Sequence, residues 1–195
     1  VSYQNTYFKG SNVSEDDWRD IIGMLEVMGE NQTATWTSAR ARSVIDVEQW
    51  LRHLAVMSLF GNSESGINTG NNDDYAMYRG LNDPRFILVY HDLDSVLGLG
   101  SLGSGGGIFG ATTCCASGDT IGINNAMNFF MHHPEIEPLY YRTLQDLIDG
   151  PFSGAEFNPA VDQVFADFPQ LAGTATTVKN YMAARRLTVA ALIEG

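Results

Sequence analysis

Two short runs, Tyr75-Ala-Met-Tyr-Arg79 and Arg85-Phe-Ile-Leu-Val-Tyr90, limit the possible folds more than any other feature of the chain. Both are rich in aromatic and aliphatic residues, and Gly80-Leu-Asn-Asp-Pro84 between them is turn-forming, so they predict one hairpin. The flanking sequence reads as helix. Ser14-Glu-Asp-Asp17 is expected to open a first helix, with Trp18, Ile21, Ile22, Leu25 and Met28 at helical spacing before Gly29. Asp46 with Gln49 forms a capping pair, and Val47, Trp50, Leu51, Leu54 and Met57 give an apolar face before a stop at Gly61. Pro134–Asp149, Asn158–Phe168 and Thr174–Glu194 are the remaining predicted helices, while 61–72 and 98–119 read as loops. Strands and helices do not alternate, so a doubly wound parallel sheet is excluded. The expected fold is α+β, mostly α, in one domain over 1–195.

Composition narrows the function. With 195 residues and 44% hydrophobic content the chain can bury a real core, and its aromatic content excludes a disordered chain. Eleven basic against 23 acidic residues give a net charge of -12, which argues against nucleic acid as a partner and would repel ATP without a divalent cation. No run approaches the ~18 apolar residues of a membrane span. The chain starts at Val1 without a visible signal peptide and is expected to be a mature or excised piece. Cys114 and Cys115 are adjacent, a spacing that suits neither a disulfide nor a zinc site, and read as two free thiols.

Gly98, Gly100 and Gly103 form a literal G-x-G-x-x-G. A dinucleotide fingerprint needs a helix to follow, yet Ser104-Gly-Gly-Gly-Ile-Phe-Gly110 cannot supply its first turns. A kinase-type glycine loop needs a lysine on the next strand, and the two lysines, Lys9 and Lys179, stand elsewhere. The glycines therefore read as flexible loop.

Asp92 and Asp94 are the stronger chemical signal. They are expected to end the second strand and face one way, because side chains two apart on a strand share a side. Two carboxylates so close repel unless a cation lies between them. Pairing of the strands would bring Asp73 or Asp74 near Asp92, and an oxygen-only set suits Mg²⁺, Mn²⁺ or Ca²⁺. The same residues also read as a solvated loop at Asp73-Asp74 and a turn cap at Asp92. His91 either orients the aspartates or packs. His132-His133 suits a helix start better than a ligand pair, and Arg185-Arg186 reads as a solvated face.

In order, Ile45-Asp-Val-Glu-Gln-Trp-Leu-Arg-His-Leu-Ala-Val56, Gly61-Asn-Ser-Glu64, Asp73-Asp-Tyr-Ala-Met-Tyr-Arg79 and Val89-Tyr-His-Asp-Leu-Asp94 resemble the spore-coat protein H (CotH) kinase family. Leu139-Tyr-Tyr-Arg142, Lys179-Asn-Tyr and Arg185-Arg186 resemble its C-terminal helices, so the resemblance covers nearly the whole chain. It implies a protein-kinase-like large lobe whose small β-hairpin carries the metal site. The implied activity is transfer of the ATP γ-phosphate to Ser or Thr of secreted or envelope-associated proteins, with Mg²⁺ or Mn²⁺. Glu64 stands where the family has an Asp base, a departure that lengthens the side chain by one carbon. Asp74 stands where the family has a metal-binding Asn.

Carried over residue by residue, the resemblance assigns catalysis to Glu64 and Asp92. Nucleotide contacts fall to Asn62, Asn72 and Asp74, and the cation to Asp74, Asp92 and Asp94. The glycine run then occupies the place of an activation segment, expected to be mobile and substrate-facing. The small lobe's glycine-rich loop and lysine are missing, so Val1 is expected to begin just after that lobe. The rival readings are a non-catalytic Ca²⁺-binding surface module and a pseudokinase scaffold.

Overall fold

The computed structural model describes residues 8–29, 36–62, 67, 75–100, 102–109 and 126–195. Helices α1 (Arg19–Gly29), α2 (Ser38–Arg42) and α3 (Val47–Phe60) precede a hairpin of β1 (Tyr75–Arg79) and β2 (Phe86–Tyr90). Helices α4 (Ala126–Met131), α5 (Glu137–Asp149), α6 (Gly154–Phe165) and α7 (Ala172–Glu194) follow. The fold is mostly helical with one small antiparallel sheet, an α+β arrangement.

Helix α3 is the centre. It is buried nearly all round, with Val47, Trp50, Leu51, His53, Leu54, Ala55, Met57, Ser58 and Leu59 inaccessible, the pattern of a helix enclosed by others. β2 packs on it from one side, and α5 and α7 from others. Asp46 caps it by accepting from Gln49 N, as the sequence predicts. At the other end Gly61, at φ 66°, donates to Ser58 O, and Asn62 N donates to Met57 O, the paired bonds of a Schellman stop.

The hairpin has the predicted strands, in the register Tyr75↔Tyr90 through Arg79↔Phe86. Its inner edge is closed by α3 and the residues before it. Phe86 N donates to Val44 O (2.8 Å), and Phe86 O accepts from Asp46 N (3.0 Å) and Trp50 Nε1 (2.9 Å). The Gln49 amide then takes the place of a neighbouring strand, accepting from Leu88 N (2.9 Å) and donating to Leu88 O (2.6 Å). Capping residue and hairpin are thereby fixed to one helix turn, which sets where the chain leaves β2.

The elements differ from the sequence reading in several places: it predicts neither α2 nor α4, α6 ends at Phe165, and α7 opens at Ala172. A short 3₁₀ turn occupies Val13–Glu15 and α1 opens only at Arg19, whose N–H is accepted by Asp17 rather than by Ser14. Residues 134–136 form a turn before α5 begins at Glu137. α6 starts at Gly154 under a Ser153 cap whose side chain accepts from Glu156 N, and it carries Pro159 inside it.

His53 sits 2% exposed in α3, its ring stacked on Tyr90 with centroids 4.3 Å apart. Burial holds its pKa down at about 4. The unfolded chain therefore takes up a proton near the ordinary histidine value while the folded chain does not. Stability is complete above that value, falls as pH drops from about 6.5 toward 4, and levels below it. Replacing His53 with Phe keeps the stacking and removes the titration. Between pH 7 and pH 5, urea unfolding of the wild type should lose about 2 kcal/mol more than His53→Phe does. Equal losses would show that His53 ionises freely in the fold.

Candidate active site

Two segments that carry sequence-predicted site residues meet at the C-terminal end of α3. The first is Gly61-Asn62, which leads out of the Schellman stop. The second runs from His91 to Gly100, directly after β2. Leu97 N donates to Phe60 O at 2.7 Å and draws the second segment onto the first. Asn62 is completely buried.

Asp92 does not continue the strand. Its φ is 47°, in the left-handed region that only glycine enters without cost, so the alternation argument for Asp92 and Asp94 fails at Tyr90, where β2 ends. A left-handed residue, rather than a pleat, sets where these carboxylates go. Both residues are exposed, and neither has a hydrogen-bond or ion-pair partner among the described residues. Their oxygens are open to a ligand. Leu97, at φ 57°, and Gly98, at φ 83°, complete the bend.

Helix α7 backs both segments. The Tyr181 ring lies against two glycines at once: a Cβ on Gly98 would come 3.0 Å from its Cδ2, and one on Gly61 2.1 Å from its hydroxyl. One turn further on, Arg185 is 2% exposed, the reverse of the solvated face read from the sequence. It donates to Ser58 O (3.1 Å) and Ser58 Oγ (3.1 Å) at the end of α3. It also donates to the carbonyls of Ser104 (3.2 Å), Gly106 and Gly107 (3.2 Å). Tyr140 on α5 adds a bond from its hydroxyl to Ile108 O at 2.9 Å.

Beside the hairpin opens a cleft of about 1050 Å³. Its walls are β1, the segment around Phe8–Asn12 and the start of α1, with His91 at the margin next to Asp92. Trp18, Tyr75, Met77 and Tyr78 give it apolar and aromatic surface, while Lys9, Arg19 and Arg79 are matched by Glu15, Asp17 and Asp20, with Arg19 paired to Asp17 at 2.6 Å. A planar apolar group suits such walls.

The family model described as CotH kinase protein matches residues 1–192. The chain belongs to the CotH kinase family. No curated protein matches it.

For this CotH chain, the described residues hold part of the predicted site. Asp92, Asp94 and Asn62 are placed as above. Glu64, Asn72, Asp73, Asp74 and the two cysteines lie outside the described residues. Among the described residues no three His, Cys, Asp or Glu side chains gather into a metal-holding group, and no helix is long and apolar enough to cross a membrane. His132 and His133 stand at the start of α5, as the sequence reading has it: His133 Nδ1 accepts from Glu135 N and His133 O from Ile136 N and Glu137 N, while His132 lies against Phe109 and His133 edge-on to Trp36.

Arg185 and Tyr181 escaped the sequence reading, yet a signal was there. Ala175, Val178, Met182, Arg185 and Val189 recur at three- and four-residue spacing and are all buried, so the arginine stands within the apolar stripe. A cation at such a position implies buried acceptors.

The glycine motif divides in two. Gly98 and Gly100 belong to a packed turn, since a Cβ on Gly100 would lie 2.2 Å from Ser95 O, whereas Gly103 and Gly105 have open space. The reading of flexible loop is corrected for Gly98 and Gly100. Gly100→Ala should cost about 1–3 kcal/mol in urea unfolding, and Gly105→Ala no more than about 0.5 kcal/mol. Equal effects would contradict the packed turn.

Proposed function

We propose that this chain is the large lobe of a CotH-type protein kinase that transfers the γ-phosphate of ATP to a Ser or Thr hydroxyl of a secreted or envelope-associated protein. One observation carries the reading. Directly off β2 the backbone enters the left-handed region at Asp92, and Asp92 and Asp94 are exposed and without a partner among the described residues, next to His91 on a cleft with aromatic walls. Strain of this kind is usually retained where geometry serves a site.

The oxygen-only donor set fits a hard divalent cation such as Mg²⁺ or Mn²⁺. Asp92 and Asp94 would hold it, with Asp74 as the third carboxylate. When bound, the cation neutralises charge on the ATP phosphates, which a chain of net charge -12 needs in order to admit ATP at all. The cleft along β1 would take the base, with Met77 and Tyr78 as apolar surface. Asn72 and Asp74 would contact the nucleotide from the segment entering β1. Asn62, sealed from solvent, would act from inside the turn that leads to Glu64.

In the transfer step, the substrate hydroxyl oxygen forms a bond to the γ-phosphorus as the bond to the β–γ bridging oxygen breaks. The phosphoprotein and ADP leave. Glu64 would accept the hydroxyl proton. A glutamate there reaches one carbon further than an aspartate, and positioning dominates the rate of such reactions.

The test uses the full-length protein with labelled ATP and Mn²⁺, beside Asp92→Ala. Transfer should fall on the order of 100-fold or more in the variant. Equal label transfer by both proteins, or none by either, would overturn the assignment of Asp92.

A further inference from the structure

We propose that Arg185 is a positioning residue of this site, holding the segment that leads to Glu64 and the segment that follows Asp92 and Asp94 in register with one another. The inference rests on the kinase reading and adds to it a residue far along the chain from both segments.

The argument begins from the cost of burial. A guanidinium enclosed in an apolar stripe loses its hydration, and a buried charge left unpaired is strongly destabilising. Among the described residues Arg185 has no carboxylate partner; its compensation is geometric. The fork carries one N–H on Nε and two on each terminal nitrogen. Nε donates to Ser58 O, one terminal nitrogen to Ser58 Oγ and Gly107 O, and the other to Ser104 O and Gly106 O. Every donor is matched. Ser58 O lies in the last turn of α3, where a cation also meets the negative end of the helix dipole.

These acceptors belong to separate segments. Two lie on Ser58, three residues before Gly61, and three lie on the stretch that follows the carboxylate turn, 78 to 81 residues from Arg185. A planar, rigid fork fixes the angle between the groups it binds as well as their distance. One turn earlier on the same helix, Tyr181 fills the space between Gly61 and Gly98, touching the same pair of segments nearer the site. Helix α7 thus contacts both at two levels.

The three backbone carbonyls around the fork also require their segment to curl inward. That curl is not imposed by steric need for glycine, since Gly105 and Gly107 have open space around them. It depends on the arginine. Without the fork, the stretch after Asp94 keeps the Leu97–Phe60 bond to α3 and the bond that Tyr140 on α5 donates to Ile108 O, but loses the bonds that join 104–107 to Ser58 through one group.

Lysine cannot substitute. Its three donors radiate from one nitrogen and cannot reach both Ser58 and the 104–107 carbonyls. Because misalignment of a base against a bound phosphate slows the chemical step more than it weakens substrate binding, the loss should appear in kcat.

The experiment compares Arg185→Lys with Arg186→Lys in the full-length protein. Arg186 donates to Ile148 O at the end of α5 and touches neither segment, so it reports what a similar loss on the same helix does to stability alone. Arg185→Lys should lower kcat by about tenfold or more, with KM for ATP within about threefold. Arg186→Lys should stay within about twofold in both. In hydrogen exchange, amides at 60–62 and at 97–109 should lose protection together in Arg185→Lys and keep it in Arg186→Lys. If Arg185→Lys does not fold, Ser58→Ala removes one acceptor and should give the same pattern at smaller amplitude.

Wild-type kcat retained in folded Arg185→Lys, or loss only in proportion to unfolded protein, would overturn the proposal. So would loss of protection in one segment alone. If the wild type transfers no phosphate, the kinase reading fails by itself, and hydrogen exchange still decides whether Arg185 joins the two segments.

Discussion

One buried cation, Arg185, joins parts of the molecule that are distant in sequence. It lies in the middle of the apolar stripe of α7, and its five donors are all taken by oxygens of α3 and of the segment after the hairpin. Burial is tolerable only while those five oxygens stay in place, so the arginine and the two segments order one another. Helix α3 is the common support. One end holds the hairpin through Asp46, Gln49 and Trp50, and the other holds the site segments through Phe60, Ser58 and the Gly61 stop.

Much of this was legible in the sequence. The hairpin, the α3 cap and stop, and the positions of α5 and α7 follow from local rules: turn residues between β-rich runs, a capping pair, and apolar periodicity. The family resemblance, carried by ordered motifs, is borne out over residues 1–192. What local rules missed depended on distant contacts. Asp92 and Asp94 look like strand neighbours, but the strand stops at Tyr90 because the chain turns back to bond Phe60. Gly98 and Gly100 look like free loop until the Tyr181 ring and the Ser95 carbonyl are placed against them. Arg185 looks solvated because charge is a good guide to exposure except where a full set of acceptors waits, and no short window contains Ser58, Gly106 and Arg185 together. Ser14 has the sequence of a cap, but Asp17 stands closer to the helix start and holds it.

The chemistry proposed for the site follows from the same contrast. Among the described residues Asp92 and Asp94 are exposed and without partners, whereas Asp17, Asp46 and Asp83 each accept hydrogen bonds near arginines. Arg85 beside Asp83 holds that carboxyl down at about 2. Neither Asp92 nor Asp94 shares a hydrogen bond or ion pair with an arginine among the described residues of this chain of net charge -12. Such a pair suits a cation, and through it a phosphate, better than it suits a structural ion pair. The rigid backing of α7 behind a strained turn is the arrangement that phosphoryl transfer asks for, since most of its catalysis is positioning.

The most direct test of that claim is calorimetric titration of ATP into the full-length protein with and without Mn²⁺, alongside Asp92→Asn. ATP should bind only with the cation present, and the variant should lose that dependence together with most of the affinity. Tight Ca²⁺ binding with no metal-dependent binding of ATP would contradict the account and make the acidic turn a structural ion site.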